Sequence, residues 1–232
     1  MIFQDRQDAG RRLAAKLLHL RDQQPVVLAL PRGGVPIGCE IALALKAPLD
    51  LVLVRKIGAP GAPELAVGAI VDGGRLEKVI DRDILAELGV PQSYLDREIA
   101  SQAEEIERRR KLYFKDRSPA PLANRGAIVV DDGIATGATM LAALLAIRRR
   151  QPSKLVLAVP VAPARAIERL RAETDEIVCL STPEDFFAIS QFYKDFHQIG
   201  DDEVLSFLHR AEEGAEDGRA RDSEGEGRRD RG

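Results

Sequence analysis

Ala127-Ile-Val-Val-Asp-Asp-Gly-Ile-Ala-Thr-Gly-Ala-Thr-Met140 reads as a strand, a loop and the start of a helix. Ala127 to Val130 is a short, largely β-branched apolar run, suited to a strand buried on both faces of a parallel sheet. Asp131 and Asp132 close the run, at the carboxyl end of the strand, where open α/β sheets bind their ligands. Gly133, Ile134, Ala135, Thr136, Gly137, Ala138 and Thr139 follow, ahead of a helical run from Met140 to Arg149. Two glycines, two threonines and small side chains let several backbone N–H groups and two hydroxyls converge on one anion at a helix start. The stretch lacks the Gly-Lys-Ser/Thr ending of a Walker loop and the Gly-x-Gly-x-x-Gly of a dinucleotide turn. A phosphorylated sugar satisfies both halves of it: carboxylates accept hydrogen bonds from vicinal hydroxyls, and the loop holds the phosphate ester.

Earlier in the chain, Val26 to Leu30 predicts another buried strand, which breaks at once into Pro31-Arg32-Gly33-Gly34-Val35-Pro36 before a helix from Ile37 to Leu45. Arg32, Gly33 and Gly34 can turn tightly and expose backbone N–H groups beside a cation, which suits a diphosphate. An ordinary turn would explain the glycines but not an arginine at the ligand edge. Leu49 to Val54 predicts a second strand that delivers Arg55 and Lys56 to the same edge, followed by Gly58-Ala-Pro-Gly-Ala-Pro-Glu64, rich in small residues and proline.

Val129-Val-Asp-Asp-Gly-Ile-Ala-Thr-Gly-Ala-Thr139 resembles the phosphoribosyl-pyrophosphate (PRPP) binding motif of type I phosphoribosyltransferases. The resemblance implies that Asp131 and Asp132 contact the ribose hydroxyls and a Mg²⁺ ion, directly or through water, and that Gly133 to Thr139 hold the 5′-phosphate. It also implies that Arg32, Gly33 and Gly34 form the pyrophosphate loop, often built with a non-proline cis peptide. Lys56 takes the place of a basic residue ahead of a mobile loop, Gly58 to Glu64, that closes over PRPP and excludes water. Glu64 is the only carboxylate on that loop and the acid/base candidate. Ala135 stands where transferases for 6-oxopurines usually carry an aspartate, so the chain is more similar to adenine transferases and the competence-associated ComF-like proteins. The reaction implied is transfer of the 5-phosphoribosyl group from PRPP to a nitrogenous base with release of pyrophosphate. A PRPP-sensing regulator of the same fold and a PRPP or phosphosugar hydrolase are the alternatives. The first strand, near Val26, leaves room ahead of it for one helix, Asp8 to Leu20, and not for a winged-helix DNA-binding module.

Ala66–Ile70 and Leu76–Ile80 flank Asp72-Gly73-Gly74 and predict a hairpin. Asp83–Leu88 and Gln92–Tyr113 then predict a helical insertion, about residues 81–116, whose basic run Arg108 to Lys111 has Glu104, Glu105 and Glu107 one turn back and so reads as a solvated face or dimer contact. Beyond the central motif, strands at Lys154–Val159 and Glu176–Leu180 alternate with a helix from Pro163 to Ala172, which predicts an α/β fold with a mainly parallel sheet flanked by helices. Pro160 to Pro163 either lines the site or makes a plain turn. From about 181 to 200, Phe186, Phe187, Phe192, Tyr193 and Phe196 concentrate five of the ten aromatic residues. They are expected to form a hood that stacks on the base, although any one ring read singly is a core cap. A helix from Asp201 to Arg210 should end the domain, 1–211, and a charged tail, 212–232, should be disordered.

The tail carries eight acids and five arginines, all of the net charge of −3, so the remainder has no basic field for nucleic acid. Cys39 and Cys179 lie in apolar segments without metal-binding spacing and read as buried thiols. No stretch reaches the roughly 18 apolar residues of a membrane span, and Met1 to Arg6 lack an apolar h-region. A cytoplasmic homo-oligomer, most simply a dimer, is expected.

Overall fold

The computed structural model describes residues 1–72, 76–115 and 118–229, with the backbone alone at 63, 64 and 216–229. The strands are β1 (Val26–Ala29), β2 (Leu49–Leu51), β3 (Leu53–Ala59), β4 (Ala62–Asp72), β5 (Leu76–Ile80), β6 (Gly126–Val130), β7 (Lys154–Val161) and β8 (Glu176–Ser181). The α-helices are α1 (Arg6–Leu17), α2 (Gly34–Leu45), α3 (Arg82–Glu87), α4 (Gln92–Tyr113), α5 (Ala138–Arg148), α6 (Ala164–Leu170) and α7 (Asp201–Arg229). Five strands form a sheet in the order β2-β1-β6-β7-β8, every neighbouring pair parallel, and β3-β4-β5 form a separate antiparallel sheet.

Strand alternation sorts the parallel sheet into two apolar layers. Val27 and Ala29 of β1, Ile128 and Val130 of β6 and Val156 and Ala158 of β7 share a core with α1, α2 and residues of α4 and α7. Val26, Leu28, Ala127, Val129, Leu155 and Leu157 face the other way, into a core with α5 and α6. A fully buried Val, Leu or Ile contributes about 1.5–3 kcal/mol, so the continuous apolar runs are explained by burial on both faces. Cys39 is buried and its thiol is pushed up to about 11 by that burial; neither cysteine forms a disulfide.

The predicted second strand, Leu49 to Val54, divides at Val52: β2 adds to the edge of the parallel sheet, and β3 turns into the hairpin sheet. Asp50, 3% exposed, secures this edge by accepting hydrogen bonds from the N–H of Leu51 at 2.9 Å and of Ala120, in the linker ahead of β6, at 2.7 Å. Asp50→Ala leaves both N–H groups without that acceptor and is expected to cost about 2–4 kcal/mol, read as a lower urea midpoint, with Asp50→Asn much milder.

The segment expected to be a mobile loop, Gly58 to Glu64, forms the tip of the β3–β4 hairpin. Ala59 pairs with Ala62 across Pro60-Gly61, and Gly61 has φ +72°. Proline followed by a left-handed glycine is a type II turn, so the residues that suggested looseness close a hairpin. The predicted β4–β5 hairpin is present, with Asp72 opposite Leu76, although Gly73 and Gly74 lie outside the described residues. In the insertion, Glu105 pairs with Arg108 and Arg109, both at 2.8 Å, and Glu107 with Lys111 at 3.7 Å, giving the expected solvated ion-pair face. The helix expected over Asp201–Arg210 continues as α7 into the charged segment assigned to a disordered tail, and Arg210 ties it to Glu40 of α2 at 3.0 Å.

Candidate functional site

Parallel pairing of β1 with β6, Ala29 opposite Val130, brings two loops together at the carboxyl edge of the sheet. Arg32 to Gly34 leave β1, and Asp131 to Thr139 leave β6. The loops touch: a Cβ added to Gly33 would lie 2.0 Å from Asp132 Oδ2, and one added to Gly34 would lie 2.7 Å from the Val130 carbonyl oxygen. The Pro31–Arg32 peptide is cis. Arg32 Nη1 lies 3.8 Å from Asp201 Oδ1 at the start of α7, and the Tyr113 hydroxyl of the insertion donates to the same carboxylate oxygen. Burial, then the bond to Asp201, pushes the Tyr113 phenol up to about 12.

After β6, the Ile134 N–H is taken by the Val161 carbonyl at 2.9 Å, which pins the loop to β7. Pro160 therefore belongs to β7, and the Pro160–Pro163 segment runs through buried Val161 and Ala162. Gly137 caps α5 with φ +84°, and its carbonyl accepts the Leu141 N–H at 2.8 Å. Among the described residues, the backbone N–H groups of Ala135, Thr136, Gly137, Ala138 and Thr139 and the hydroxyls of Thr136 and Thr139 make no hydrogen bond. Thr136 and Thr139 are exposed. Unpartnered donors in sequence at a helix start are groups that can accept an anion.

Asp131 and Asp132 are half-buried. Burial, then the neighbouring Asp132 charge, holds the Asp131 carboxyl well above the ordinary carboxylate range; burial also raises Asp132, against the opposing pull of Arg6. Arg6 is the functional candidate that the sequence did not disclose. It opens α1, its side chain is 8% exposed, and its Nε donates to Asp132 Oδ2 at 2.8 Å. The Tyr193 hydroxyl donates to the Asp132 carbonyl at 2.6 Å, and burial keeps that phenol far above its usual range, hence protonated.

The predicted aromatic hood divides. Phe192 and Tyr193 are 7% and 6% exposed and belong to the core beside Phe3, so these two rings cap the core. Phe186 stacks on Phe192 with centroids 5.5 Å apart, while Phe187 is 89% exposed. Ile189 packs directly over Gly133. Lys56 lies inside β3 on the face shared with Val54, which packs on the α5 core; Glu64 lies in β4 and its side chain is outside the described residues.

Two adjacent strand ends, one carrying an acid pair ahead of a row of unpartnered amides and the other an Arg-Gly-Gly turn, meet at the carboxyl edge of an α/β sheet, where such folds place their ligand sites. The chain belongs to the phosphoribosyl transferase domain family, whose model matches residues 2–197. It is 46% identical over 210 residues to a Mycobacterium tuberculosis protein whose name marks it as a candidate phosphoribosyl transferase, Rv0571c in strain H37Rv and MT0597 in strain CDC 1551. The match covers 90% of this chain and 47% of that protein, so the chain spans about half the length of these relatives. The crystal structure of TT1426 from Thermus thermophilus is similar with a TM-score of 0.75 and 45% identity, covering 90% of this chain and 98% of that one. Among the described residues no helix is long and apolar enough to cross a membrane.

Proposed function

We propose that the protein is a Mg²⁺-dependent phosphoribosyltransferase that moves the 5-phosphoribosyl group from PRPP to a nitrogen of a base. The observation that carries this reading is the row of unpartnered amides from Ala135 to Thr139 directly after the acid pair and beside the Arg32 turn. The cradle takes the 5′-phosphate, the acid pair takes the ribose hydroxyls, and Arg32 with the N–H groups of the Gly33-Gly34 turn takes the diphosphate. As the bond from the anomeric carbon to the diphosphate oxygen breaks, its electron pair leaves with the diphosphate, the nitrogen lone pair forms the new bond, and the N–H proton of an adenine-type base is released to water. Positive charge on the ribose is offset by Asp131, and negative charge on the leaving group by Arg32.

The acid pair fits a divalent cation: two half-buried carboxylates are opposed by the single Arg6 guanidinium, which leaves hard oxygen donors and excess negative charge. Bound there, Mg²⁺ supplies neutralising charge for ribose and diphosphate oxygens. Ala135 offers no proton donor or acceptor in its side chain, which favours an adenine-type base over a 6-oxopurine. A cytoplasmic location, a place in nucleotide metabolism and a homodimer belong to the same reading.

Mass spectrometry of the protein incubated with Mg²⁺, PRPP and a pool of purine, pyrimidine and nicotinamide-type bases tests it. A new nucleoside monophosphate is expected, with hypoxanthine and guanine poor acceptors. PRPP bound but unconsumed would replace the transferase with a sensor, and PRPP lost without a base adduct would replace it with a hydrolase.

A further inference from the structure

The two acids are not equivalent. Asp132 is held at three atoms: its N–H donates to Asp131 Oδ1 at 2.8 Å, its carbonyl accepts the Tyr193 hydroxyl, and its Oδ2 accepts Arg6 Nε. Its carboxylate also rests against the Cα of Gly33. Asp131 uses Oδ1 to accept the Asp132 N–H, and its Oδ2 makes no hydrogen bond among the described residues.

Arg6 is held as firmly. Its Nη1 donates to the His197 carbonyl at 2.9 Å, and its guanidinium carbon lies 3.8 Å from the centre of the Phe196 ring. The backbone on either side is closed into a clasp: the Phe3 N–H donates to the Phe192 carbonyl at 2.8 Å, and the N–H groups of Lys194 and Asp195 donate to the carbonyls of Phe3 and Gln4, both at 2.9 Å. The N-terminal segment and the hood are thus one unit, and what that unit delivers to the sheet edge is a guanidinium on one carboxylate of the acid pair.

Resting on the reading of this edge as a PRPP site, we propose that Arg6 is a positioning residue that turns Asp132 inward as a fixed strut and leaves Asp131 as the acid that receives the ribose hydroxyls. Two adjacent carboxylates repel each other, and a cation on one of them fixes its direction and leaves a single net negative charge for the ligand. The cation comes from the first turn of α1, 126 residues before its partner. A simple brace between α1 and the sheet would not need to end on the acid pair.

A binding cycle decides it. Mg·PRPP affinity is measured by isothermal titration for the parent, Arg6→Met, Asp132→Asn and the double variant, with Arg6→Lys as the conservative replacement. Arg6→Met is expected to weaken binding about tenfold or more in the parent and less than about twofold in the Asp132→Asn background, since an interaction that acts through one partner vanishes with it. Arg6→Lys should recover part of the loss in the parent background alone. Equal losses in both backgrounds, or no loss in either, would overturn the positioning role. If Arg6→Met does not fold, Arg6→Lys in the two backgrounds carries the same comparison. A parent that fails to bind Mg·PRPP overturns the proposed function together with this inference, whereas a binding parent with an indifferent Arg6 overturns this inference alone.

Discussion

Gly33→Ala is expected to weaken Mg·PRPP binding by on the order of 100-fold or more, and to lower the melting temperature as well. The reason is space rather than backbone freedom, because Gly33 has φ −62° and ψ −34°, which any residue adopts. The added methyl would sit 2.0 Å from Asp132 Oδ2 and 2.5 Å from its Cγ, more than 1 Å inside contact distance. An exposed carboxylate could swing aside at little cost. This one is bonded to Arg6, and displacing it strands a guanidinium whose side chain is 8% exposed. Breaking one side of a buried pair costs about 3–5 kcal/mol. The remaining escape is to move the Arg32 turn away from β6, which separates the two halves of the ligand site. Either way the turn and the acid pair cannot both keep their places. Calorimetric PRPP titration and thermal unfolding measure the two effects. In an Asp132→Gly background the three nearest atoms are gone, so the stability loss caused by Gly33→Ala should largely disappear. If it persists there, the collision with Asp132 is not its cause.

The parts of this site that were legible in the sequence are those written in consecutive residues. Ala127 to Thr139 carries its own strand, acids, turn and helix start, and Pro31 to Pro36 carries its own turn, so each could be placed before any contact between them was known. Their adjacency also followed, since alternating strands and helices imply a parallel sheet and place both loops at its carboxyl edge. That Gly58 to Glu64 pair into a hairpin was not legible, because Pro60-Gly61 serves a tight type II turn as well as it serves an open loop, and the pairing of Ala59 with Ala62 makes it a turn. The division of Leu49–Val54 between two sheets was hidden because both halves are apolar and one residue, Val52, makes the change. Arg6, and the contact of Tyr193 with Asp132, were out of reach for a different reason. Their partners lie 126 and 61 residues away, and an arginine at a helix start or a tyrosine in an aromatic run has no local mark of its target. The same limit applied to the hood, where a ring that stacks on a ligand and a ring that fills a core have the same sequence signature; burial assigns Phe192 and Tyr193 to the core.

Asp131→Asn is expected to raise the stability of the protein while abolishing most of its affinity for Mg·PRPP. Asn is isosteric, and its side-chain oxygen still accepts the Asp132 N–H, so the turn after β6 keeps its geometry. What disappears is a half-buried charge beside a second carboxylate. Burial first, and the Asp132 charge second, hold the Asp131 carboxyl well above the ordinary range. A carboxyl raised in the folded state binds its proton more tightly there than in the unfolded chain, so it destabilises the fold when ionised. The penalty is absent below the unfolded value of about 4, grows as the pH rises through the interval up to the raised folded value, and is complete above it. Parent stability should therefore fall with rising pH across that interval, and Asp131→Asn should flatten the slope. At neutral pH this relief should appear as a higher melting temperature. The same charge is what a ribose diol and its metal require, and its loss should cost on the order of 100-fold in PRPP affinity. Asp132→Asn should gain less stability than Asp131→Asn or lose some, because relief of its own buried charge is set against an Arg6 left buried without its anion. Thermal unfolding of both variants between pH 4 and pH 8, beside PRPP titrations, separates the two acids. A melting temperature that falls equally for both would mean that Asp131 is a structural partner like its neighbour and not a group kept at a cost to the fold for the sake of its ligand.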